Sequence, residues 1–135
     1  MKKIIILAVA LFICLGLSSS SKSVDKWTSQ DTIWEVTTLA VKTLDWSQTR
    51  YIAANKERYY EVNPLIGQHP SDSEVNRYFI VTSIGHMAVA GLLPTKATLP
   101  IVGTVNPRRL WQYIFIGISG GLVAHNANIG IGMKW

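Results

Sequence analysis

The sequence predicts an all-α protein: a small bundle of about three helices after an N-terminal signal segment, with two helices crossing a membrane as a hairpin. The distribution of acidic residues supports this fold class, because all eight carboxylate side chains lie between residues 25 and 74. The acid-free remainder contains two apolar runs, 78–93 and 110–124, and each is bounded by helix start and stop signals. An apolar region with only basic charges is typical of a chain that lies in or against a membrane.

The N-terminal segment 1–21 has the pattern of an export signal. Lys2 and Lys3 precede a continuous apolar run, 4–17, and small serine residues follow at 18–21. We expect either a cleaved signal peptide or an uncut anchor, followed by one helical membrane-associated domain over residues 22–135. The expected location is the bacterial inner membrane or the periplasm-facing cell envelope.

The first helix is predicted over residues 32–54, with Asp31 as its N-cap. Its periodicity is amphipathic, with an apolar stripe on one side and polar residues on the other. Because two charges near the centre would be costly in lipid, we expect an interfacial or protein-packed helix rather than a membrane span. The stripe contains Ile33, Val36, Ala40, Leu44 and Tyr51, and the opposite side contains Glu35, Lys42, Asp45 and Thr49, with Lys42 and Asp45 spaced to pair.

Two further helices follow from strong capping signals. Ser71 and Glu74 form a capping box for a helix that runs to about Leu93. Asn106 and Pro107 start a helix that runs to about residue 126. Each helix has roughly the length of a bilayer's hydrocarbon core, about 30 Å. The apolar cores are shorter than the helices, so burial in a soluble helical bundle is an alternative.

Charge asymmetry predicts the orientation of the hairpin. The link between the two apolar helices, 95–109, contains Lys96, Arg108 and Arg109 and no acid. Basic links tend to stay on the cytoplasmic side. This topology places the segment 22–75 and the C-terminus in the periplasm.

Glycine spacing in the last helix predicts a packing surface. Gly117 and Gly121 form a GxxxG motif, which allows a second helix to approach closely, either within the chain or from another copy. The C-terminal segment 126–135 alternates apolar and small residues and is predicted to be a short strand or an interfacial tail.

Polar side chains that could support chemistry are few, and their spacing matches no metal, phosphate or nucleophile motif. The sequence therefore favours a non-enzymatic role without a cofactor or metal, and Asp45, Glu61 and His86 are weak catalytic candidates. We expect His86 to be a neutral histidine that forms a hydrogen bond across a helix interface with Asp45 or Thr49. His125 is expected to interact with a helix dipole. The polar residues expected inside the bundle are Asp45, Thr49, His86 and His125, and the full set of polar candidates is Asp45, Thr49, Glu61, His69, His86 and His125.

Several motifs resemble those of a group of short exported, mostly uncharacterised proteins of bacteria and their phages. The likeness covers about residues 25–135, and it implies a membrane-associated helical protein without implying a reaction. It depends on Asp45-Trp46-x-Gln48-Thr49, Glu61-x-Asn63-Pro64-x-x-Gly67-x-His69-Pro70-Ser71, His86, Leu93-Pro94 and Arg109-x-Trp111-Gln112-Tyr113.

Three functional hypotheses follow. The leading one is a small cell-envelope membrane protein with a structural or interaction role, acting on the host envelope if it is phage-encoded, with membrane lipid and a second copy or an envelope protein as partners. The second is a soluble periplasmic binding module. The third is a membrane enzyme or metal protein that uses Asp45, Glu61 and His86. The net charge of +5 does not indicate nucleic-acid binding, because the basic residues are scattered rather than clustered.

Overall fold

The computed structural model describes residues 25–99 and 103–135, which form three α-helices and one two-stranded hairpin. Helices α1, α2 and α3 span Ser29–Ala54, Asp72–Leu92 and Pro107–Asn128. Strands β1 and β2 span Ala97–Leu99 and Gly103–Val105. The predicted three-helix, mostly helical class is confirmed. The predicted signal segment 1–21 lies outside the described residues.

The helices begin where short polar side chains satisfy their first backbone amides. Ser71 and Glu74 form the predicted capping box of α2, and Asn106 accepts a hydrogen bond from the Arg109 amide at the start of α3. The start of α1 differs from the prediction. Thr28 is the N-cap, and Asp31 occupies the third helical position of a second capping box, so α1 begins three residues earlier than expected.

The link between α2 and α3 contains a small antiparallel hairpin that the sequence did not predict. Ala97 pairs with Val105 and Leu99 pairs with Gly103. Gly103 has a φ of 77°, a left-handed conformation that glycine adopts without steric cost. Each strand has only three residues, which explains why no period-2 pattern is visible in the sequence.

The C-terminal residues 129–135 pack back against α1, and no strand is described there. The amide of Lys134 donates to the carbonyl of Ser47 at 3.1 Å, and Ile131 is buried. Of the two predicted alternatives for this segment, the strand is wrong. The tail instead covers the C-terminal half of α1.

Helix α1 contacts both other helices, and the contact between α2 and α3 is smaller. The apolar core is correspondingly small. Its contact cluster consists of Ala90 and Leu93 at the end of α2 and Trp111 near the start of α3, with Val89 and Phe115 packed against it. Other buried apolar residues are Ile52, Val75, Phe79 and Ile131. Apolar packing therefore joins α2 to α3 at one end of the bundle, and polar side chains fill much of the rest of the interior.

The buried face of α1 is the polar face identified in the sequence analysis. Ile33 and Val36, from the predicted apolar stripe, are 63% and 60% exposed. Glu35, Lys42 and Asp45, from the opposite side, are buried. The amphipathic pattern identified two faces of this helix but did not say which of them the neighbouring helices cover.

The outer faces of the helices carry large apolar side chains. On α2 they form a stripe at helical spacing, and α1 and α3 add further members. None of the helices in the described part of the chain is long and apolar enough to cross a membrane, so the predicted hairpin finds no support there. The exposed side chains on the three helices include Ile33, Val36, Ile80, Val81, Ile84, Met87, Leu92, Leu110, Tyr113 and Ile118.

Candidate functional site

A continuous row of polar side chains runs along the buried face of α1. Successive members are three or four residues apart, which places them on one face of a helix. We call this row the polar seam. It consists of Asp31, Glu35, Thr38, Lys42, Asp45 and Thr49, and all six residues are buried.

At one end of the polar seam, Asp31 binds two arginines from α3. Its carboxylate oxygens lie 3.1 Å from Nη1 of Arg108 and 3.1 Å from Nη2 of Arg109. Burial by itself would raise the pKa of Asp31. The hydrogen bonds from Thr28 and from the two guanidinium groups outweigh burial and lower this pKa to about 2. Asp31 is therefore an anion over the physiological pH range.

Arg108 connects all three helices. Its side chain is fully buried, and its Nε donates to the carbonyls of Ala90 and Leu93 at the end of α2, at 3.0 and 3.2 Å. Nη1 donates to Asp31 of α1, and Nη2 donates to the carbonyl of Asp25 at 3.1 Å. The planar guanidinium presents its donors in fixed directions, which suits it to a site that needs several acceptors at once.

One turn further along α1, Glu35 meets a polar group from each of the other helices. His86 Nε2 of α2 lies 3.3 Å from Glu35 Oε2, and Gln112 Nε2 of α3 donates to the same oxygen at 3.1 Å. Burial opposes ionisation of Glu35, but the interactions with His86 and Gln112 prevail and lower its pKa. His86 also stacks on the indole of Trp111, with ring centroids 5.8 Å apart.

The partner of His86 differs from the prediction. We expected a hydrogen bond to Asp45 or Thr49, whereas the contact is with Glu35. The general expectation of a buried histidine at a helix interface agrees with the structure. Several buried polar atoms around it accept or donate no well-aligned hydrogen bond, which leaves this cluster incompletely satisfied. They are Oε1 of Glu35, Nδ1 and Nε2 of His86, and Oε1 of Gln112.

Lys42 lies in the middle of the polar seam. Its Nζ donates to Thr82 Oγ1 at 3.1 Å and lies 5.4 Å from the ring centroid of Phe115. Burial lowers the pKa of Lys42, and the negative charges of Asp45 and Glu35 oppose this effect. The predicted pair of Lys42 and Asp45 is therefore an electrostatic interaction between two buried groups.

The second half of the polar seam brings two carboxyl groups together. Asp45 and Glu61 are each 4% exposed. Burial, followed by the nearby charge of Glu61, raises the pKa of Asp45 to about 7, although Ser119 and Lys42 favour the charged form. Burial also raises the pKa of Glu61, and the backbone amide of Asn63 opposes this increase.

The structure separates the predicted polar candidates into three groups. Asp45, Thr49 and Glu61 lie together, and Thr49 helps to stabilise the charged form of Glu61. His86 belongs to the Glu35 cluster. His69 and His125 are exposed, so the prediction of His125 as a residue inside the bundle is wrong. No group of three potential metal ligands is present among residues 25–99 and 103–135.

The glycine motif of α3 faces outward. Gly117 and Gly121 are exposed, and a side chain at either position would meet nothing within 4 Å. The glycine that faces α1 is Gly120, where an added Cβ would lie 3.9 Å from Val41. The motif thus makes no close helix contact among the residues that the structure describes, and a contact between copies stays a prediction.

No protein-family model, no curated protein and no solved structure was found to match the chain. The likeness to short exported proteins therefore stays a prediction. The role of the polar seam is therefore inferred from the chemistry of its own residues.

The sequence analysis missed the residues that complete the seam from α3, Arg108 and Gln112. It treated Arg108 only as a topology signal. The sequence does contain a signal for the buried face of α1. The residues of the polar seam, followed by Ile52, repeat along this helix at alternating spacings of four and three. This heptad spacing normally marks the buried contact stripe of a helix, even when its members are polar.

Proposed function

We propose that this protein is a membrane-associated helical protein of the cell envelope, with a structural or protein-interaction role. The observation that supports this proposal is the reversed polarity of the bundle. In the described residues, charged and polar side chains occupy the interior of the helix contacts, and large apolar side chains cover the outer helix faces. Water-soluble domains normally have the opposite arrangement.

Energetic considerations favour a lipid environment for such a bundle. Each large apolar side chain loses roughly 1.5–3 kcal/mol when it is left in water rather than buried. The ten exposed apolar side chains named above would carry this cost together, and contact with lipid removes it. Contiguous apolar surface on a folded protein commonly marks a membrane or protein contact. Lipid contact along the outer faces does not require the predicted hairpin of two membrane spans.

The interior of the bundle supports an architectural role. Arg108 and Gln112 bind α1 through directional hydrogen bonds, and such contacts specify one arrangement of helices where apolar packing is limited. The exposed Gly117 and Gly121 offer a surface on which a second copy or another envelope helix can pack.

Fractionation of the expressed full-length protein tests the proposal. We expect it to sediment with membranes, to stay there through a high-salt wash and to dissolve in detergent, since apolar contact is insensitive to ionic screening. Release without detergent would overturn the proposal and favour a soluble periplasmic binding module.

A charge-matched pair of variants makes the test specific to the apolar face. Ile80→Lys with Ile84→Lys places two lysines on the outer stripe of α2, where both isoleucines are more than half exposed. Gln68→Lys with Ser73→Lys adds the same charge at exposed polar positions. We expect the first pair to lower membrane partitioning by roughly tenfold or more per residue, and the control to leave it unchanged. Equal partitioning of both pairs would contradict lipid contact at this stripe.

A further inference from the structure

The second half of the polar seam contains a pair of carboxyl groups that the structural role does not use. Asp45 is on α1, and Glu61 is in the connection between α1 and α2. Both are almost completely buried. We propose that Asp45 and Glu61 form a proton-binding site that holds one exchangeable proton. This inference does not depend on whether the protein associates with a membrane.

The two carboxyl groups, when both are ionised, carry two negative charges, and a second positive charge beside Lys42 is needed to neutralise them. Lys42 is the cation that acts on Asp45, one turn away on α1, and it can balance one carboxylate. A second buried carboxylate would be uncompensated, which is strongly unfavourable in a site of low polarity. One bound proton neutralises the second carboxylate without any other ligand.

Hydrogen bonding also indicates a missing donor. The amide of Asn63 donates to Glu61 Oε1 at 2.7 Å. The other oxygen, Oε2, is buried and accepts no well-aligned hydrogen bond. A proton bound on this oxygen removes a buried negative charge for which the surrounding groups supply no well-aligned donor.

The remaining groups around the pair do not change charge near neutral pH. From α2, Tyr78 faces both carboxyl groups, and its raised pKa keeps its hydroxyl protonated. From α3, Ser119 contributes a hydroxyl beside Asp45, and from α1, Thr49 contributes a hydroxyl near Glu61. Asp45 and Glu61 are thus the groups of this cluster that can take up and release the proton.

A route to solvent exists on the loop side. Glu61 and Asn63 contribute to the wall of a surface cavity of about 380 Å³ formed by residues 60–68. A proton from water can reach the pair there, which converts one carboxylate into a carboxylic acid and forms one O–H bond. The site is therefore a proton donor and acceptor at neutral pH, which is the property that general acid–base chemistry requires.

Infrared spectroscopy of the purified full chain tests the site directly. The protonated carboxyl group has a carbonyl band that is distinct from the carboxylate bands. Spectra would be recorded from about pH 5 to about pH 9, a range above the pKa of about 4 of an ordinary carboxyl group, so that ordinary carboxyl groups are mostly ionised. We expect the band to persist at about pH 6 and to disappear as the pH rises through neutral. Absence of the band at about pH 6 would overturn the proposal.

Variants assign the band. Asp45→Asn and Glu61→Gln should each remove it, and Glu57→Gln, which changes an exposed glutamate on the neighbouring turn, should leave it unchanged. A band that survives both Asp45→Asn and Glu61→Gln would also overturn the proposal. If these variants do not fold, Asp45→Glu and Glu61→Asp, which keep a carboxyl group at each position, should each shift the frequency or the titration of the band, and a band unchanged in both would overturn the proposal.

Discussion

The carboxylate of Asp31 and the guanidinium of Arg108 form an ion pair of 3.1 Å inside the bundle, and both side chains are buried. Asp31 lies in the first turn of α1, and Arg108 lies in the first turn of α3. Because Arg108 also donates to the carbonyls of Ala90 and Leu93 at the end of α2, this pair fixes three helix ends relative to one another.

Replacement of Arg108 by Ala should be among the most destabilising single changes in the bundle. It leaves the Asp31 charge with Arg109 as its remaining basic partner and removes the donor from two buried carbonyls. Breaking a buried pair on one side costs about 3–5 kcal/mol. Denaturant unfolding in detergent, followed by circular dichroism, measures the change. Arg58→Ala, at an exposed position, is the control and should cost less than about 0.5 kcal/mol. Similar losses for both variants would contradict the role of Arg108.

Asp31 should contribute stability that disappears in acid. Its pKa is lowered to about 2 in the folded state, so the folded protein binds this proton less readily than the unfolded chain does. The contribution is complete above the unfolded pKa of about 4 and is lost as the pH falls towards 2, with a magnitude of about 2 kcal/mol. Asp31→Asn should therefore be less stable than the parent at pH about 6, and the difference should shrink in acid. An equal difference in the free energy of unfolding at pH about 6 and at pH about 2 would contradict this assignment.

Asp45 should have the opposite effect. Its pKa is raised to about 7 in the folded state, so the folded protein holds the proton more tightly than the unfolded chain does. This group makes the protein less stable as the pH rises from about 4 to about 7, by up to about 4 kcal/mol. Asp45→Asn should flatten that slope and raise the free energy of unfolding at pH about 8. A lower stability of the variant at that pH would show that the ionised carboxylate stabilises the fold.

Gln112 should be required for the cluster around Glu35. Its Nε2 donates to Glu35 Oε2 at 3.1 Å and to the carbonyl of Asp31 at 3.2 Å. Gln112→Leu has a similar volume but leaves both acceptors without this donor, at a cost of about 1–3 kcal/mol. Thermal unfolding of the variant measures the loss. Gln68→Leu, in the exposed loop, is the control, and a loss no larger than that of the control would contradict a role for this donor.

Helix boundaries were predictable because the signals that set them are local. Ser71 and Glu74 cap the start of α2 in both the sequence analysis and the structure. Asn106 and Pro107 do the same for α3. Each of these contacts joins residues within one turn of the chain, so the sequence alone contains all of the participants.

The interior was not predictable in the same way. The amphipathic pattern of α1 did not show which of its two faces packs against the other helices, and in the structure Ile33 and Val36 are exposed and the polar seam is buried. The contact between His86 and Glu35 joins residues 51 positions apart on different helices (86 − 35). A capping pattern cannot indicate such a contact, because the pattern contains no information on how one helix rotates against another.

The sequence by itself determined where α2 and α3 begin, about where all three helices end, and that the last part of the chain is apolar and free of acid. Only the tertiary structure decided which helix faces meet and that Arg108 joins Asp31 to the end of α2. It also decided that Asp45 lies beside Glu61 rather than beside His86. The physical reason is that backbone capping is satisfied within a few residues, whereas a buried charge must be compensated by whichever groups the packing of distant segments brings to it.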